Sequence, residues 1–541
     1  MLTFVKSLLD CDSAAKGRKS NRFKKSKSFE QRGKEMEKKK MSLMALVLMI
    51  FTSVFGFSNC TRAFYLMGYS AIPWYILSAI TFFLPYAFMM AEFGTAYKNE
   101  KGIYAWMANT VSPKFAFVGI FMWYASYVVW MVSVSSSIWV PLSNLIAGDN
   151  VTSNWSIFGL TAPQTLALLG SCFIVVVTFL SSRGMKNVSR VATIGGTFCM
   201  IANVVLIAGS VIVFIGNHGI PRETMAHGAF FHSPNVAYAS PLAMCAFLVY
   251  AIFAYGGLEA VGGLVDQTEN PEKNFPKGIK LSAIIIAVGY SLCILLVGLA
   301  CNWTRTFSSD SVNISSVVYA CMKEMGVQIG GVFGMSAAAG VTLGAWFARF
   351  TGLAMFLSLM GAFFTLIYAP LRQLIEGTPK EIWPESWTKE NKYGMPGKAL
   401  WVQACCVIVI IIVSSFGGKT AAKFYMYLTL MCNVAMTIPT CFLSLAYIKF
   451  RKNQSIEKPF LIIKSERGAM IAGIAAFATV GFANVFTIFQ PIIQFDPKVG
   501  PDWMSTIYQI LGPVVFTAIA LLLFRNYEKK SGKGNKEEVA K

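Results

Sequence analysis

Tyr250-Ala-Ile-Phe-Ala-Tyr-Gly-Gly-Leu-Glu-Ala-Val-Gly-Gly263 decides how this chain is read. It lies inside a long apolar run, where a membrane-spanning helix is expected. Two features disagree with an ordinary span. Gly256-Gly257 and Gly262-Gly263 weaken a helix, each glycine by roughly 1 kcal/mol relative to alanine. Glu259 sets a carboxylate at membrane depth, where charge is costly and usually functional. A polar exit, Asp266-Gln-Thr-Glu-Asn-Pro-Glu-Lys-Asn-Phe-Pro-Lys277, follows at once. The stretch predicts a discontinuous transmembrane helix at a binding site.

Composition agrees. Hydrophobic residues make up 55% of the 541 and charged residues 13%, with mean hydropathy +0.55. That excludes a soluble domain and fits an all-α, polytopic membrane protein. A formal net charge of +21 would suggest nucleic acid in a soluble chain. Here the positive charge sits in the tails and in alternate loops, which indicates membrane orientation and no nucleic acid. Residues 1–40 are polar and basic, and the apolar run from Met41 is too long for a signal-peptide core. They read as a disordered cytoplasmic tail touching anionic lipid. The twelve cysteines form no CxxC pair and mostly fall in apolar runs, so they read as small buried hydrophobes, not as a disulfide or metal framework. His218, His227 and His232 share one polar loop. No catalytic triad or zinc spacing is present, so neither an enzyme nor a cofactor is expected. Gly417-Gly-Lys-Thr420 mimics the end of a P-loop, but Val413 stands where its first glycine belongs.

Twelve apolar runs have spanning length, approximately 41–67, 71–95, 115–147, 163–181, 189–216, 240–265, 279–301, 344–369, 399–416, 422–449, 468–490 and 503–525. Residues 315–343 read as an outer, membrane-hugging segment. Loops after even-numbered spans are basic, for example Lys98, Lys101 and Lys114, or Arg372, Lys380, Lys389, Lys392 and Lys398; the loop 217–239 holds only Arg222. Both termini are therefore expected in the cytoplasm.

A second break matches the first. Phe51-Thr-Ser-Val-Phe-Gly-Phe-Ser-Asn-Cys-Thr-Arg62 interrupts span one near its middle. Span one opens the first five helices and span six the next five. Interruptions at matching places in two halves point to an inverted-repeat transporter site. Unwinding frees N–H and C=O groups that cannot stay bare in lipid, so they must face a cavity. The expected architecture is a 41–527 transmembrane domain with repeats at 41–216 and 240–449, extra helices within 468–525, and a tail at 528–541.

Phe253-Ala-Tyr-Gly-Gly-Leu-Glu259, followed by Glu269-Asn-Pro-Glu-Lys-Asn-Phe-Pro276, resembles the sixth-helix signature of the amino acid–polyamine–organocation transporters, and within them the glutamate/γ-aminobutyrate antiporters. Ala91-Glu-Phe-Gly-Thr-Ala-Tyr97, Tyr368-Ala-Pro-Leu-Arg372 and Asn391-Lys-Tyr-Gly-Met-Pro396 resemble other parts of that family. The resemblance implies a 5+5 inverted-repeat bundle of twelve helices in the bacterial inner membrane. Such a bundle moves an amino acid or related amine by alternating access. It places the backbone of Val54, Phe55, Gly56, Phe57 and Ser58 on a substrate carboxylate. It places the carbonyls of Ala254, Tyr255 and Gly256 on an amino group, with Tyr255 as an aromatic gate. Glu259 matches an acid of the antiporters' sixth helix, and is read either as a proton carrier or as a structural acid. Arg349 is read as a partner for Glu259 or the substrate, or as a residue reaching outward. The antiporters carry an acid on helix eight where this chain has Ala362, which argues against acid-resistance exchange of glutamate. A sensor on the same fold, without net transport, is the rival reading. Oligomeric state is open.

Overall fold

The computed structural model describes residues 40–98, 102–308, 312–495, 497–498 and 500–531. The expected disorder of residues 1–40 falls, except for Lys40, outside the described residues, as do residues 532–541 of the second tail. From Met41 onward the described chain belongs to one compact unit.

Helices follow in this order: α1 (Leu43–Val54), α2 (Phe57–Met67), α3 (Ala71–Ser78), α4 (Leu84–Ala96), α5 (Ile103–Thr110), α6 (Pro113–Ser137), α7 (Trp139–Ala147), α8 (Ala162–Ser181), α9 (Met185–Gly216) and α10 (Pro241–Phe253). After a tight helical turn over Leu258–Leu264 come α11 (Pro271–Ala300), α12 (Trp303–Phe307), α13 (Val317–Val332), α14 (Ala337–Ile375), α15 (Glu385–Thr388), α16 (Gly397–Phe416), α17 (Gly418–Ala435), α18 (Ile438–Lys452), α19 (Glu466–Ile493) and α20 (Trp503–Lys530). The starts follow from local chemistry. Ser42, Ser112 and Ser240 each accept an N–H of the first turn, and Pro113 and Pro241 occupy positions where no N–H is needed.

Eleven segments among the described residues are long and apolar enough to cross a membrane. The first, Leu43–Ala96, has 54 residues. As one helix it would measure about 80 Å, more than twice a hydrocarbon core of roughly 30 Å. It turns back at Gly68, whose φ of +58° favours glycine and where a Cβ would lie 2.7 Å from Pro234. That segment therefore crosses twice and the described chain crosses twelve times, as expected. Exposed Val204, Val288, Ile471 and Leu522 make the outer surface of the bundle apolar.

Four boundaries depart from the sequence reading. Span eight is the single helix α14, running well past 344–369 at both ends. The outer segment therefore reduces to α13 and the turn after it. Span ten is two helices, α17 and α18, because Pro439 cannot donate to the preceding turn. The last helix continues to Lys530, into the expected tail. Span six does not resume as a regular helix after its glycines. Gly262 and Gly263 lie so close to Trp106 and the Ala369 carbonyl that a Cβ would come within 3.1 and 3.0 Å of them.

The face carrying Met41 is tied shut by polar contacts. Met41 donates to the Gln267 carbonyl at 2.8 Å and accepts from Glu269 N–H at 2.9 Å. Arg372, at the end of α14, holds Asp266 through two bonds of 2.8 and 2.7 Å and donates to the Gly263 carbonyl. Glu92, fully buried on α4, accepts from Tyr447 and Arg451 of α18 at 2.9 Å each. Its other oxygen accepts the N–H groups of Ile462 and Ile463. A buried ion pair gives little net stability, but removing one partner strands a charge. Arg451→Ala is therefore expected to lose about 3–5 kcal/mol. Thermal melting in detergent checks this, with the double variant Glu92→Gln/Arg451→Met melting above the single one.

Candidate substrate site

The two helix breaks meet at a cavity of about 680 Å³. Phe55 and Gly56 are extended, with ψ of 108° and 102°, and separate α1 from α2. Across from them, α10 ends at Phe253 and the chain turns at Gly257, whose φ is +107°. A Cβ on Gly257 would stand 2.6 Å from the Ser53 carbonyl. Glycine is thus needed there twice over, for its φ and for the approach of the two breaks.

One side chain joins them. Tyr290, in the middle of α11, accepts from the Gly56 N–H at 2.9 Å and lies 3.0 Å from the Val54 carbonyl and 2.9 Å from the Ala254 carbonyl. A hydroxyl has one proton, so it donates to one carbonyl at a time. Asn59 Nδ2 reaches the same oxygen at 3.4 Å. The sequence reading missed this residue. Its signal was a lone tyrosine after Gly289 in an otherwise aliphatic run.

The cavity walls are aromatic and neutral-polar. Trp123, Tyr127 and Trp130 project from one face of α6, Tyr250 and Phe253 from α10, and Leu359, Ala362 and Leu366 from α14. Asn433, Thr437 and Thr440 line it from α17, α18 and the break between them, with Thr487 and Gln490 from α19. Arg62 and Glu259 are its charged lining residues. Arg62 projects from α2 one turn beyond Ser58, and its Nε donates to the Ile314 carbonyl at 2.8 Å.

Of the residues expected at the site, Val54, Phe55, Gly56, Ser58, Ala254, Gly256 and Glu259 line the cavity. Phe57 and Tyr255 do not. Tyr255 stacks on Phe83 at 4.6 Å, with its hydroxyl donating to the Tyr75 carbonyl at 3.3 Å. The expectation of a gating Tyr255 is corrected: the helical turn carries its ring behind the break, and Tyr250 and Phe253 face the cavity instead. Of the two readings of Arg349, the outward one holds and the charge-partner one does not. Arg349 donates to the Ala147 carbonyl at 3.3 Å, where the negative end of α7 attracts a cation, and packs over Trp346. It makes no contact with Glu259. Glu259 instead accepts from the Thr440 hydroxyl at 2.7 Å and the Gly257 N–H at 3.2 Å. Gln373 braces the same turn by donating to the carbonyls of Glu259 and Ala260.

The family model for amino acid permeases matches residues 41–516, nearly all of the described chain. The chain belongs to the amino acid permease family. This permease is 49% identical to the inner membrane transporter YjeM of Escherichia coli (strain K12) over 490 residues, covering 90% of this chain and 96% of that protein. It is 24% identical to the aspartate/glutamate permease AcaP of Lactococcus lactis subsp. cremoris over 499 residues, 90% of this chain and 95% of that one. It is also 24% identical to a glutamate/gamma-aminobutyrate antiporter of the same organism, with 89% and 91% covered. A membrane transporter, and not an enzyme, is what these similarities show. In this permease the two breaks are backbone features, so side-chain variants act on them indirectly.

Tyr290→Phe is expected to lower the melting temperature, because the Gly56 N–H and a facing carbonyl lose this partner. It should weaken substrate binding about tenfold, the effect of losing one net hydrogen bond at the upper end of its range, read as a rise in KM. Gly257→Ala should also lower the melting temperature, because a strained φ costs on the order of 1–3 kcal/mol.

Proposed function

We propose that this permease carries an amino acid or related amine by alternating access, as an antiporter or proton-coupled symporter, with both termini in the cytoplasm. One observation carries the reading: two oppositely charged helix ends face one cavity. The N-terminus of α2 has no side-chain cap, and its partial positive charge suits a carboxylate. The C-terminus of α10 and the carbonyls of Val54 and Ala254 present partial negative charge to an ammonium. Those groups sit among aromatic side chains at a partly buried cavity, where each is worth more than in bulk water. The relatives' names, which give them as carriers of amino acids or of glutamate and γ-aminobutyrate, support the substrate class.

The basic loops support placing the Met41 face in the cytoplasm, and the Arg372–Asp266 and Glu92–Arg451 contacts then close that side. The cavity extends from the breaks toward Arg62, midway along α2, and Gln490, near the end of α19. This reading makes the state an inward-closed one. Glu259 acts as a structural acid in it. Both its oxygens are held by donors that stitch the broken helix to α18, and Ala362 supplies no second acid nearby.

Uptake into proteoliposomes tests the proposal, screening labelled amino acids with and without a pH gradient and with counter-substrate inside. Saturable uptake of at least one is expected; failure of all, with no ligand-induced thermal stabilisation, would overturn it. Glu259→Gln should lower the melting temperature and leave the pH profile of uptake in place. A flattened profile would make the residue the proton carrier. A C-terminal topology reporter reads the orientation.

A further inference from the structure

We propose that Cys301 and Cys321 are a disulfide site, and that the bond secures the outer loop gripping α2. Their sulfurs touch at 3.7 Å, and Cys301 Sγ donates to the Cys321 carbonyl at 3.4 Å. Both are fully buried. The other described free cysteines lie inside membrane-crossing helices. These two do not: Cys301 caps the end of α11, and Cys321 sits on α13, which is not one of the crossing helices.

The segment between them holds the outer half of α2 by several independent contacts. Arg62 donates to the Ile314 carbonyl at 2.8 Å, and Tyr65 to that of Val312 at 3.4 Å. Trp303 Nε1 donates to the Tyr65 carbonyl at 2.9 Å, and Phe307 packs edge-on against Phe64 and Tyr65. The other end of α2 is the N-terminus at the cavity. Closing the 301–321 loop limits its freedom and so steadies that half-helix.

The inference rests on the proposed orientation, which puts this face in the oxidising compartment. The chemistry is thiol–disulfide exchange. One cysteine, as thiolate, attacks an oxidised dithiol carrier to give a mixed disulfide. The second displaces the carrier, and the two thiol protons pass to the carrier, which departs as a dithiol. The adjacent Cys321 thiol and burial push the Cys301 thiol well up in pKa, so exchange belongs to membrane insertion, before the loop packs.

The test traps thiols in intact cells with N-ethylmaleimide under denaturing conditions, followed by peptide mass spectrometry of the full chain. A Cys301–Cys321 linked peptide is expected, with neither residue blocked until a reductant is added. Both residues blocked without reductant, while the topology reporter shows a cytoplasmic C-terminus, overturns the disulfide alone. An external C-terminus overturns the orientation and this inference with it. Cys301→Ser and Cys321→Ser should each fold and lose the linked peptide completely. Reductant should change the uptake rate of the unaltered protein and leave both variants unaffected. An equal response in all three would break the link to α2.

Discussion

A hydroxyl in the middle of a membrane holds the two halves of the site together. Tyr290 meets an N–H and a carbonyl from the α1–α2 break and a carbonyl from the end of α10. Without such a partner, freed backbone groups at that depth would each cost several kcal/mol. The break in span one and the break in span six are thus not independent defects. Each is tolerable because a third helix satisfies part of both, and because Gly257 lets their backbones approach. The rings of Phe55, Tyr75 and Tyr255 pack around Tyr290 with centroids 4.7 to 5.0 Å away, which fixes its rotamer.

Charge is distributed by the same economy. Two buried ion pairs lie at the Met41 face, where Glu92 meets Arg451 and Arg372 meets Asp266, with backbone donors or acceptors filling remaining valences. Among the described residues, the cavity's charged lining is Arg62 and Glu259, set among amides, hydroxyls, rings and aliphatic side chains. A wall of that kind discriminates by fit and by helix-end electrostatics.

Much of this was legible in the chain. Paired glycines beside Glu259, and small polar residues at Ser53, Gly56, Ser58 and Asn59, announce the breaks because helix propensity and lipid exclusion act locally. The twelve crossings follow from apolar run length alone, and most of the residues expected to line the site do so. Tyr255 escaped because a periodicity says which residues share a face, not which face meets the cavity once a helix stops. Tyr290 and Thr440 escaped because they lie far away in the sequence and look like ordinary residues of ordinary spans.

The sequence by itself determined a polytopic helical bundle, its two interruptions, the acid between the glycines and the asymmetry of its basic loops. These are properties of single segments in a uniform apolar solvent. The tertiary structure alone decided that both interruptions share one tyrosine hydroxyl, that Glu259 pairs with Thr440 and not with Arg349, and that Tyr255 stands behind the site. Such outcomes depend on how helices distant in sequence rotate and cross when they pack, and no local pattern encodes that rotation.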